Sequence, residues 1–322
     1  MSSAHHDIGL VRHEDIIQPF MLHQSSLRGR MVRLCPAVDT ILTRHHNPAP
    51  VNRLLAELLT LAAMLSANLP KDGILTMQAK GNGPVSFLVA DAMYGGGLRG
   101  YASLAEDGAS RLAHLEAEGG ELTLSDLMGE GYLAITLDMG YGDPYQGIVP
   151  LEGKTLREAV THYFTQSQQL DIMFHLSIDQ RKDTDGDQHW TAGGIMLERM
   201  PELGGKQLAV HKPEEEDGLH GWEYNALLVN TATRDELLDP HLAPSALLYR
   251  LFNEGGVWVH DTQPVSSDCR CSRKKIANVL NSLGAEALDD MVVDGVITVT
   301  CQFCNKDEVF KADEVEKETS LP

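Results

Sequence analysis

The sequence predicts an α+β protein in three parts: a large N-terminal α+β core with mixed sheets over residues 1–201, a metastable helical linker region over 202–263, and a small C-terminal tetra-cysteine domain over 264–322. Three observations carry this prediction. One apolar run, LLAELLTLAAMLSANL, has the length of a buried helix. Several β-rich runs are punctuated by glycine turns. Four of the five cysteines crowd into the last sixty residues.

The first part opens with polar sequence and then enters the apolar helix, expected near 52–68 and ended by Pro70. Next, ILTMQAKGNGPVSFLVADAMYGGGLRGYA reads as a β-meander turning at Gly81-Asn82-Gly83-Pro84 and Gly95-Gly96-Gly97. YLAITLDMG is a further strand, followed by the turn-rich GDPYQG and the apolar run IVPL. Thr155 and Glu158 are spaced as a capping box and start a helix. IMFHLSI and WTAGGIMLERM close the core as strands. In the second part, HKPEEEDG reads as a solvated acidic loop. A capping box at Thr233 and Glu236 starts a short helix that ends before Pro240. Pro244 starts another, which Gly255-Gly256 stops, with Leu247, Leu248, Leu251 and Phe252 on one face. Helices this short gain little from propensity and need a surface to pack on. They make a marginally stable segment, and an ordinary helical subdomain is an equal reading. In the third part, 274–283 is helical in pattern, with Ile276, Val279, Leu280 and Leu283 on one face. AEALDDMVV follows as a short helix, and the strand GVITVT delivers Cys301 into a tight CQFC turn. So little apolar material does not make a self-sufficient core, and a cross-link or metal is expected there.

The formal net charge of −20 argues against a general affinity for nucleic acid or anionic membrane, although Arg270, Arg273, Lys274 and Lys275 form a local basic cluster. MSSAHHDIGL lacks the pattern of a secretory signal, and the longest apolar run is short for a bilayer span and carries Glu57, Ser66 and Asn68. A cytoplasmic protein is therefore expected, a setting in which clustered cysteines bind metal or act in redox chemistry more often than they form lasting disulfides.

Cys269-x-Cys271 and Cys301-x-x-Cys304 suit a tetrahedral zinc site, one Zn2+ per chain, with ligands at about 2.3 Å. A purely architectural zinc knob fits the spacing equally. With no histidine in either pair, each ligand is already a thiolate, the form that reacts with oxidants. Because the members of each pair are near neighbours, oxidation can cross-link them locally and strip the metal of its ligands. In a small module the metal-binding free energy is folding free energy, so the module would unfold.

C-x-C-S-R followed about thirty residues on by C-x-x-C resembles the redox-regulated heat-shock holdases, the thirty-three-kilodalton chaperonin family of bacteria. The resemblance spans nearly the whole chain. It is carried by LTMQAKGNGPVSFLVADA, LRGYA, GYLAITLD, YQGIVPLEG, HYFTQSQQL and TAGGIMLERMP, then LLYRLFNE and VWVHD, then CRCSR, LGAEALDDM and VTCQFC. Extra residues around HKPEEEDG and HHNPAPV and a different N-terminus depart from the pattern. The resemblance implies a chain that is zinc-bound and inactive when reduced. Oxidation would form Cys269–Cys271 and Cys301–Cys304 disulfides, release zinc and unfold the linker. The oxidised form would dimerise and hold unfolding client proteins without ATP. In such a chain, exposing Leu247, Leu248, Leu251 and Phe252 with the core beneath would supply apolar surface, which gains roughly 25 cal/mol per Å² on burial.

Other features take plainer readings. Cys35, beside Pro36, is an isolated and inert thiol, and His5-His6 and His45-His46 are surface residues. Gly81-Asn82-Gly83 lies between strands, so it is a hairpin turn and no phosphate loop. No hydrolase, metalloprotease or Walker motif is present, so no enzyme activity is expected. Two competing functions are a zinc-ribbon adaptor for nucleic acid, which the acidity and lack of aromatics near the basic cluster disfavour, and a dithiol oxidoreductase using CQFC. A redox-active C-x-x-C usually opens a helix, whereas this one follows a strand.

Overall fold

A computed structural model describes residues 12–23, 25–182, 186–200, 221–283 and 285–311, and the chain divides between Ser267 and Asp268 into two compact units. The acidic HKPEEEDG loop, His5-His6 and the 201/202 boundary lie outside the described residues.

In the first unit, strands β1 (Ile16–Leu22) and β2 (Leu27–Leu34) lead into helices α1 (Pro36–Thr43) and α2 (Ala49–Ser66). The meander β3 (Ile74–Gly81), β4 (Val85–Met93) and β5 (Leu98–Leu104) follows, then α3 (Gly108–Glu118), α4 (Leu124–Met128), β6 (Gly131–Asp138), β7 (Tyr145–Pro150) and α5 (Leu156–Ser167). The hairpin β8 (Ile172–Lys182) and β9 (Gln188–Arg199) comes next. Helices α6 (Trp222–Asn230), α7 (Arg234–Leu238) and α8 (Pro244–Phe252) and the short strands β10 (Val257–Val259) and β11 (Gln263–Pro264) end the unit. One sheet has the order β10-β1-β2-β9-β8, with β11 also on β1. The other has the order β5-β4-β3-β6-β7. The α+β class is as expected, but every paired strand in these two sheets runs antiparallel, where mixed sheets were expected. Most sequence neighbours join by hairpins and no helix crosses between parallel neighbours.

Helix α2 explains its own composition. It is buried almost all round, because it packs against strands of both sheets and fills the main core with Leu55, Leu58, Leu59 and Met64. No described helix is long and apolar enough to cross a membrane. The stretch expected to be polar at the start of the chain instead forms β1 and β2. Its apolar alternation is broken by Pro19 and by three arginines in LRGRMVRL. Pro19 costs no β1–β2 bond, because its carbonyl, and hence its missing N–H, faces the opposite edge, where His260 N donates to it at 3.0 Å. Arg30 is tolerated through Glu198 at 3.2 Å, and Arg33 through backbone carbonyls.

The other face of the β1-β2-β9 sheet carries Phe20, Leu22, Leu27, Met31, Ile195 and Leu197, and the helices of the 221–256 stretch cover it with Val229, Leu237, Leu247, Leu248 and Phe252. Phe20 and Phe252 stack with ring centroids 5.6 Å apart. Phe20 lies directly over Gly29, where a Cβ would come within 2.6 Å of the ring. Glycine is therefore needed there. The capping box at Thr233 is complete, with Thr233 Oγ1 accepting from Glu236 N and the Glu236 carboxylate from Thr233 N. At Thr155 only half of the box forms, because the Glu158 carboxylate reaches back one residue further and accepts from Lys154 N at 2.7 Å.

The second unit holds α9 (Arg273–Asn281), α10 (Ala285–Met291) and the hairpin β12 (Val296–Thr300) and β13 (Asp307–Lys311). Its core is small: Ala277, Leu280, Ile297 and Phe310. Val279, expected on the inner face of α9, is 63% exposed, and Ala277 is buried beside Leu280 instead.

Candidate metal centre

Two loops bring the four sulfurs together. Cys269 and Cys271 lie just before α9, whose start is fixed by Ser272 accepting from Lys275 N at 3.3 Å. Cys301 and Cys304 lie in the turn after β12. Cys301 N donates to Lys306 O at 3.0 Å, Asn305 N donates to Cys301 O at 2.8 Å, and Asn305 adopts a left-handed φ of 54°. Thr300 Oγ1 donates to Asp307 Oδ1 at 2.6 Å and holds the mouth of the turn.

All four Sγ atoms lie within 4.8 Å of one another, and Cys304 is buried. Two of the separations run across the pairs, Cys269–Cys301 at 3.7 Å and Cys271–Cys304 at 3.5 Å. A tetrahedron with metal–sulfur bonds of about 2.3 Å has its corners about 3.8 Å apart, so the donor set fits a tetrathiolate metal ion. Desolvation opposes ionisation of Cys269, but the Cys271 N–H and the three neighbouring thiols together outweigh it and bring its pKa down to about 7. Burial, reinforced by the neighbouring sulfurs, pushes Cys271 up, and burial pushes Cys304 up as well. A cation bound among them would let all four ionise together.

The basic cluster beside the site has structural partners. Arg273 lies 4.2 Å from the Phe310 ring centroid, pairs with Glu308 and donates to Val309 O at 2.8 Å, while Lys275 Nζ donates to Arg270 O at 3.1 Å. Cys35 is in the first unit, buried, and pushed up to about 12, first by desolvation and then by Glu14 and Asp15. It is thus an inert thiol. Gly81-Asn82-Gly83 is the β3–β4 turn, with Asn82 Oδ1 accepting from Glu130 N at 2.9 Å. Leu247, Leu248 and Phe252 are buried against the sheet and Leu251 is partly so. Sequence reasoning missed the residues they meet, Phe20 and Met31 in the strands that it did not anticipate.

A two-sheet α+β body with helices laid over one outer sheet face, together with a separate four-thiol unit, defines a class of protein whose cysteines are compatible with metal binding and redox chemistry. A model of the Hsp33 protein family matches residues 15–311. The chain is 38% identical over 302 residues to the 33 kDa chaperonin of Caulobacter vibrioides (strain NA1000 / CB15N), covering 93% of this chain and 95% of that one. It is 37% identical over 303 residues to the 33 kDa chaperonin of Pseudomonas syringae pv. syringae (strain B728a), covering 94% and 92%. Its fold matches the crystal structure of the 33 kDa chaperonin from Thermotoga maritima with a TM-score of 0.73 at 24% identity, over 94% of this chain and 97% of that one. The chain belongs to the Hsp33 family of chaperones.

Proposed function

We propose that this chaperone is an ATP-independent holdase switched by oxidation. Its three working parts would be the α+β core over 1–201, the linker over 202–263 and the redox switch over 264–322. Cys269, Cys271, Cys301 and Cys304 would bind one Zn2+ in the reduced, inactive form. Bound there, zinc would keep the four sulfurs ionised and tie the loop before α9 to the β12–β13 turn. Oxidation of four thiolates to two disulfides removes four electrons, which two molecules of a hydroperoxide accept on their way to water and alcohol. The expected pairs are Cys269–Cys271 and Cys301–Cys304. Sulfurs also approach across the pairs, at 3.7 and 3.5 Å, so this pairing rests on the resemblance to the family. Each disulfide removes two ligands, the metal leaves, and the linker loosens. Unfolding clients would then bind to the bared sheet face and linker, and the active form would be a dimer. A cytoplasmic setting suits this cycle, since reduced thiols persist there. CQFC follows strand β12 in a turn and does not itself open a helix, which weighs against a dithiol oxidoreductase.

The observation that carries the reading is the occurrence in one chain of a four-sulfur cluster, on a unit whose core among the described residues has four buried apolar side chains, and of an apolar sheet face covered by short helices. The test is suppression of a model client's aggregation by the reduced protein and by protein treated with peroxide and heat, with zinc release followed in the same tube. Client protection that rises together with zinc release is expected; equal protection in both states overturns the reading.

A further inference from the structure

Arg33 is fully buried in β2, and its guanidinium meets only backbone oxygens. Nε donates to Leu237 O at 3.0 Å and Nη2 to Glu236 O at 3.1 Å. Nη1 donates to Leu242 O at 2.8 Å and to His13 O at 3.1 Å. No carboxylate pairs with it among the described residues. Two of these acceptors lie in the last turn of α7, a helix of five residues whose C-terminal carbonyls have no partner within the helix. The strand residue across from Arg33 is Gly193, where a Cβ would sit 2.8 Å from Leu237 O. Strand β9 thus leaves room for α7 to lie directly on the sheet, and Arg33 caps its end from below.

The other polar ties of this helix are peripheral. Arg181–Asp235, Arg234–Asp179 and Arg250–Glu236 are ion pairs with at least one solvent-exposed partner, and Asp235 is 93% exposed. Pairs of this kind hold weakly and are screened by salt. The four bonds to Arg33 are shielded from water, and withdrawing α7 would strand a buried cation and bare its carbonyl partners.

We propose that Arg33 is the positioning residue that anchors the 221–256 segment to the core, so that its carbonyl clamp sets how readily the linker is released. This rests on the holdase reading above for its consequence, although the anchor itself can be measured without it. His13 shares the clamp, and His13 N donates to Pro240 O at 2.7 Å. His13 therefore bridges the clamp and the linker segment.

The experiment is hydrogen exchange on the full-length, reduced, zinc-loaded protein, comparing wild type with Arg33→Met and Arg33→Lys. In Arg33→Met, peptides over 234–252 are expected to exchange at least about tenfold faster. Arg33→Lys, which keeps the charge but has a single nitrogen, falls between. Peptides of α2 and the zinc-to-protein ratio stay at wild-type values, and 0.5 M salt leaves wild-type protection over 234–252 in place. Wild-type protection of 234–252 in Arg33→Met overturns the proposal. So does loss of protection in α2 to the same degree as in 234–252, since Arg33 would then be a general core residue. A peroxide-treated wild type that keeps 234–252 protected, beside an Arg33→Met that loses it, supports the anchor and removes the redox reading alone.

Discussion

Glu57 is a carboxylate in the middle of the most apolar helix of the chain, and its position answers why it is there. Its Oε1 accepts from Arg157 N at 2.9 Å, at the first turn of α5, so one side chain of α2 satisfies an open N–H of the next helix packed on it. Burial pushes its pKa up, and the bonds from the Arg157 and Leu156 backbone only partly offset this. The linkage follows in sign. A carboxyl whose folded pKa is raised contributes most below its unfolded value of about 4.3, and that contribution is lost as pH rises through the folded value. Glu57→Gln keeps an acceptor for Arg157 N and carries no charge. Its stability relative to wild type is therefore expected to grow between pH 4 and pH 7, whereas Glu57→Ala leaves the N–H bare and is destabilised across the range, by about 1–3 kcal/mol. Urea midpoints at several pH values check this; a Glu57→Gln advantage that shrinks with rising pH contradicts it.

At the scale of elements, the short helices of the 221–256 segment depend on one aromatic seam. Phe252 is 2% exposed and stacks on Phe20, while Leu251, on the same helix, is only partly covered. Truncating a buried phenylalanine costs about 3–5 kcal/mol through lost burial and a cavity, more than helices of nine and five residues can recover by themselves. Phe252→Ala is therefore expected to make this segment protease-sensitive in the reduced, zinc-loaded protein, with Leu251→Ala showing a smaller effect. A Phe252→Ala digestion pattern matching wild type contradicts it. Much at this scale was legible in the sequence. The apolar run became α2, the glycine turns became the β3-β4-β5 meander, and Thr233 and Glu236 closed their box, because each signal was local. The strands β1 and β2 were not legible, since Arg28, Arg30, Arg33 and Pro19 break the alternation and are tolerated only through partners far along the chain: Glu198, the 236–242 carbonyls and His260. Val279 failed for the opposite reason. Its helical spacing was right, but the second unit has too little interior to cover a whole apolar face. The four cysteines were legible as a set from spacing alone, yet spacing along the chain does not show that Cys269 lies 3.7 Å from Cys301 and Cys271 3.5 Å from Cys304.

For the whole molecule, the two units draw on unequal resources. The first is organised around α2, buried between two sheets, with a core of more than forty buried residues. Among the described residues, the core of the second has four buried apolar side chains, with two short helices and one hairpin, an amount of interior that does not hold a fold of this size by itself. A metal held at the sulfur site, as in the proposed function, would supply the rest, since metal binding and folding are then one free energy. Removing the metal from the reduced protein with a strong chelator is therefore expected to bring amide exchange over 268–311 to unfolded rates, while α2 over 49–66 keeps its protection. Cys271→Ser should do the same without chelator, because three thiolates leave the tetrahedron open. If release of the linker follows from loss of the site, and not from disulfide formation as such, then 234–252 loses protection in the chelated and Cys271→Ser proteins too, with no oxidant present. A chelated protein in which 268–311 stays protected contradicts a metal-held second unit. One in which that region unfolds and 234–252 does not places the trigger in the disulfides themselves.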